Sequence, residues 1–120
     1  MVLGTLISKV QEEKPNSFTD NKLISFVNEI EVNVAEQMRI ADVPVYTDED
    51  MGAELLAPAP YDRLYVSYVK AMIDYANEEY ASYQLNQAQL TLDFQEFVDW
   101  VVRTKQAAYI DHPVRFRHVM

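Results

Sequence analysis

The sequence predicts an all-α fold, a small bundle of about four helices with a long middle loop and an extended C-terminal tail. Three observations carry that expectation. Apolar residues recur at helical spacing in four separate segments, only two glycines occur in 120 residues, and Pro44, Pro58 and Pro60 fall in one stretch that separates two halves. At 49% hydrophobic the chain can fill one core, and at this length it is too short for two.

The elements follow in order. Leu3, Leu6, Ile7 and Val10 share one helical face, so a first helix runs to about Glu13, where Pro15, Asn16 and Ser17 stop it. Thr19 or Asp20 caps a second helix whose apolar stripe reads Leu23, Phe26, Val27, Ile30, Val34, Met38, fading near Ile40. Residues 41–60 are the longest irregular stretch, a length of loop that is uncommon in so small a domain and often functional or mobile. Pro60 suits the first turn of a third helix, about 60–78.

In that third helix Arg63, Ser67, Lys70, Asp74 and Asn77 form one narrow polar stripe, and nearly everything else is apolar or aromatic. Such a helix must be buried on several sides. One short chain is expected to leave part of it uncovered, which makes Tyr65, Tyr68, Val69 and Ile73 candidates for a subunit interface. Asn77 is the expected left-handed residue at its end. A fourth helix, about 80–104, aligns Tyr80, Tyr83, Gln87, Leu90, Phe94, Phe97 and Val101. Trp100 projects instead with Asn86, Gln89, Asp93 and Glu96, so it is either covered by the returning tail or an interaction anchor. Residues 106–120 lose the helical period and read as an extended basic tail behind a single domain, 1–105.

Charge narrows the function. The chain carries −9 overall, with −12 over residues 1–102 and +3 over residues 103–120. An acidic body repels nucleic acid, while a basic end suits an acidic partner. The absence of cysteine excludes disulfides, thiolate nucleophiles and thiolate zinc sites. No secretory signal and no membrane span is apparent, so a soluble protein made in the cytoplasm is expected.

The candidate chemical sites are weak. Asp48, Glu49, Asp50 and Glu54 are acidic enough for a cation, yet Gly52 comes too early for a calcium loop and the closing Glu is missing, so a solvated loop is the simpler reading. His112 and His118 stand beside Asp111 without zinc-site spacing. Glu29 and Glu31 point about 200° apart on a helix and cannot share one site. Two glycines do not make a phosphate loop. No catalytic residue, cofactor or metal site is expected, and the chain reads as a structural protein and not an enzyme.

Three segments carry a resemblance: KLISFVNEIE (Lys22 to Glu31), ELLAPAPYDRLYVSY (Glu54 to Tyr68), and the aromatic helix from Phe94 that ends in Arg103–Thr104. The second is the most specific, with Leu55, Leu56, Pro58, Pro60, Tyr61, Asp62, Leu64, Tyr65 and Tyr68 in an L-L-x-P-x-P-Y-D-x-L-Y-x-x-Y pattern. Together they resemble the head–tail connector (adaptor) proteins of tailed phages and prophages. That family usually has a glycine at the bend before its last helix, where this chain has Asn77–Glu78, and a shorter C-terminus. The resemblance implies a dodecameric homo-oligomeric ring beneath the portal protein, in the virion neck, assembled in the host cytoplasm. Such a ring extends the DNA channel without specific DNA binding and receives the next neck or tail-completion protein. It implies portal docking through the tail, at Tyr109, Arg115, Phe116 and Arg117, with Trp100 among the interface candidates. The competing expectations are a small helical interaction or regulatory module and an acidic DNA mimic.

Overall fold

The computed structural model describes the backbone of residues 1–110 and the side chains of residues 1–104. Four helices form an all-α bundle: α1 (Leu3–Glu13), α2 (Asp20–Met38), α3 (Arg63–Ala76) and α4 (Tyr80–Ile110), with one 3-10 turn at Asp48–Asp50. Among the described residues the only β pairing is an isolated antiparallel bridge between Val2 and Glu54. No helix there is long and apolar enough to cross a membrane.

The start of α1 has no side-chain cap. Its free amides are satisfied instead by the middle loop, Leu3 N–H donating to the Ala53 carbonyl at 2.9 Å and Gly4 N–H to Met51 at 2.8 Å. Gly4 is needed for that approach, because a Cβ there would stand 3.1 Å from the Met51 carbonyl oxygen. For α2, the Thr19 hydroxyl accepts from the Lys22 amide at 3.2 Å. This helix ends where Arg39 turns left-handed (φ 57°), with the Ile40 amide donating back to the Ala35 carbonyl at 2.9 Å.

The long loop is stitched to α2. Asn28 accepts from the Tyr46 amide at 2.8 Å and donates to the Tyr46 carbonyl at 3.1 Å, while the Glu31 carboxylate accepts from the Leu56 amide at 3.1 Å. Pro60, after a cis peptide bond, lies in a turn closed by Tyr61 N–H to the Pro58 carbonyl. Helix α3 begins three residues after the position expected for it.

Helix α3 is the centre of the bundle and packs on α1, α2 and, most extensively, α4. Its polar stripe is the seam with its neighbours. The Ser67 hydroxyl donates to buried Asp93 of α4 at 2.6 Å, and Asp74 accepts from Ser82 at 2.7 Å and Asn86 at 2.6 Å, both at the start of α4. Lys14 of α1 closes the same cluster by pairing with Asp74. The left-handed residue between α3 and α4 is Glu78 (φ 60°); Asn77, expected there, has φ −90°. The Glu79 amide donates to the Asp74 carbonyl, which completes the reversal.

Helix α4 also differs from expectation at its far end. It continues six residues past 104 to Ile110, over about 46 Å. Residues 106–110, Tyr109 among them, therefore belong to a helix and not to an extended tail. Arg115, Phe116 and Arg117 lie outside the described residues. The long helix accounts for the elongated outline, 56 × 33 × 20 Å.

Candidate interaction surface

Three of the residues expected at a subunit interface lie in the core of one chain. Tyr65, Val69 and Ile73 are fully buried, because α1, α2 and α4 all pack on α3. The Tyr65 hydroxyl donates to Glu31 at 2.5 Å and accepts from the Ala57 amide at 2.9 Å. The part of α3 left uncovered is therefore smaller than expected: Tyr75 is its one exposed large hydrophobic side chain. Tyr68 is half-buried at the edge of α3, and its hydroxyl donates to Glu29 at 3.1 Å. Burial, with the Glu29 charge added, pushes its phenol up to about 12.

The sequence named Glu31 only as an acid that cannot share a site with Glu29. It is a buried carboxylate with no paired cation among the described residues, held by the hydroxyls of Tyr46 (2.6 Å) and Tyr65 and by the Leu56 amide. Burial and the neighbouring carboxylate raise both phenols far above their ordinary value. Donors on α3 and on the loop converge on α2, so the group locks three segments together. The Glu31 side chain is fully buried.

Asp74 is a second buried acid. Burial opposes its charged form, but the bonds from Lys14, Ser82 and Asn86 prevail and hold its carboxyl below the ordinary range. Two acids of the middle loop, Asp50 and Glu54, have structural partners as well. Asp50 accepts from the Thr47 amide at 2.8 Å in a capping box, and Glu54 stands 3.2 Å from the amino group of Met1. Among the described residues no three His, Asp or Glu side chains converge as metal ligands.

Trp100 faces the bundle because the polar side of α4 is the side that meets α3. Its ring stacks on Tyr61 (centroids 5.3 Å, 27° between planes) and tilts against Phe97 at 6.1 Å. The Arg103 guanidinium donates to the Tyr61 hydroxyl at 3.4 Å. Beside this stack Met38, Trp100, Val101 and Thr104 line an apolar hollow of about 150 Å³. A larger open groove of about 530 Å³ separates α2 from α4, with Ile30, Tyr68, Leu90 and Phe94 among its walls and Glu36, Gln37 and Gln95 among its polar lining.

Comparison with known proteins adds no relative. No family model, curated protein or solved structure matches the chain.

Among the described residues the surface offers docking features. The segment Glu54 to Tyr68 is spread through it: Leu55 and Ala57 enter the core, Tyr61 meets Trp100, and Tyr65 reaches Glu31. One exposed feature went unread in the sequence. Leu85 and Leu92 stand on the outer face of α4, although their spacing of seven was visible.

Proposed function

We propose that this protein is a structural head–tail connector (adaptor) of a tailed phage or prophage, and not an enzyme. The observation that carries the reading is the Leu55 to Tyr68 pattern, whose residues have specific packing roles: Tyr61 under Trp100, Asp62 within 3.2 Å of the Met1 amino group, Tyr65 on the buried carboxylate. Together these tie the start of α3 to α1, α2 and α4. An elongated body of this kind has one long helix to span a layer of a ring, and the acids that dominate residues 1–102 would keep passing DNA from sticking.

In this reading copies of the chain assemble as a ring under the portal protein, in the virion neck, and present a platform to the next neck or tail-completion protein. Docking on the portal falls to the C-terminal residues, with Phe116 as the apolar anchor and Arg115 and Arg117 as the charged flank. Because most of α3 is covered within one chain, contacts between copies fall to other, exposed surfaces. Truncation after Ile110 removes the proposed anchor and leaves all four helices. The truncated chain should keep its helical circular dichroism and lose portal binding; undiminished binding would refute the docking role.

A further inference from the structure

The outer face of α4 carries a seam that none of the described residues covers. Ala81, Leu85, Ala88 and Leu92 follow one another at steps of four, three and four, all on the side away from α3, and all are exposed. Leu85 is 76% exposed and Leu92 is 61% exposed. The spacing is that of a coiled-coil stripe, in which leucines seven apart recur on the same line and alanines let a second helix approach closely.

Charge identifies the occupant. Residues 80–92, YASYQLNQAQLTL, are the longest run in the chain without a charged residue, in a protein of net charge −9. Over the rest of their acidic surface two copies repel; along this seam they do not. The seam also matches itself. With two α4 helices antiparallel, Leu85 of each copy meets Leu92 of the other, Ala88 lies beside the two-fold axis, and the same contacts form twice. Antiparallel helices also set their dipoles in opposition.

The geometry points to a second copy of this chain as the partner, docked antiparallel along Ala81–Leu92 of α4. A single helix pair falls below the roughly 1,200 Å² of a standard interface, so the dimer is weak, with a dissociation constant of about 10 µM or higher. Glu78 of one copy approaches Asp99 of the other at the ends of the seam, so added salt strengthens the association. The inference concerns the isolated protein and stands apart from the portal reading.

Sedimentation equilibrium of the full chain, without any portal, tests it. The expected result is a reversible monomer–dimer equilibrium between about 5 and 500 µM that tightens with salt. L85E and L92K, at side chains too exposed to disturb the core, should each weaken the dimer more than about tenfold. The double variant L85E/L92K should restore it, because in the antiparallel register each introduced acid faces the partner's introduced base. A chain that stays monomeric throughout, or single variants that dimerise like the parent, would overturn the surface. A double variant that stays monomeric while the parent dimerises would overturn the antiparallel register.

Discussion

The Tyr65 hydroxyl donates to the Glu31 carboxylate at 2.5 Å, and both side chains are fully buried, one on α3 and the other on α2. A sealed carboxylate with no cation survives only if its lone pairs are filled, and here two phenols and one loop amide fill them. Charge burial at this point therefore fixes the middle loop.

Tyr65→Phe leaves Glu31 Oε1 short of a donor and the Ala57 amide without an acceptor, whereas Tyr46→Phe removes a single donor. Each buried polar group left unpaired costs about 1–3 kcal/mol. Urea denaturation should show both variants destabilised, Tyr65→Phe more than Tyr46→Phe. Equal or negligible losses would contradict the network.

Alkaline titration of the phenols gives an independent reading. Burial beside Glu31 raises Tyr46 and Tyr65 far above the ordinary phenol value, and Tyr68 is raised to about 12. A raised phenol stabilises the fold below its ordinary value of 10, a contribution lost as pH rises through the folded value. Ultraviolet difference spectra should therefore show Tyr68 ionising near 12, and Tyr46 and Tyr65 only as the chain unfolds. Spectra of Tyr68→Phe and Tyr65→Phe assign the steps.

At the acid end Asp74 sets the dependence. Its folded pKa lies below the ordinary 3.8, so its contribution is present above that value and fades as pH falls through the folded one. Lys14 is raised by its bond to Asp74, so its contribution holds below the ordinary 10.5 and fades as pH rises above the folded value. Thermal melts should show Asp74→Asn less stable than the parent at neutral pH, with the difference narrowing below about pH 4. A constant difference would mean that the loss is one of packing alone.

Much of the fold was legible in the sequence because its signals are local. The face Leu3, Leu6, Ile7, Val10 with Pro15 after it gives α1 its observed span, and Thr19 caps α2 where expected. Pairing between distant segments was not legible. The polar stripe of α3 reads as surface until Ser82, Asn86 and Asp93 are seen to answer it, and that complementarity has no local mark. For the same reason Trp100, among polar neighbours on α4, faces the bundle. The chain turns at Glu78 and not Asn77, because the bend is closed by Glu79 bonding back to Asp74.

The Tyr61–Trp100 stack can be read optically, since Trp100 is the only tryptophan. Tyr61→Ala should shift its emission to the red and cost about 0.5–1.5 kcal/mol beyond lost area. An unchanged spectrum would place the indole outside the stack.

The connector assignment is met most directly by multi-angle light scattering of this chain with the portal ring of its own phage or prophage. The expected result is a single complex heavier than the portal by several copies of the 13.9 kDa chain, formed by the full chain and not by the chain truncated after Ile110. A portal whose mass is unchanged in excess full-length chain would contradict the assignment.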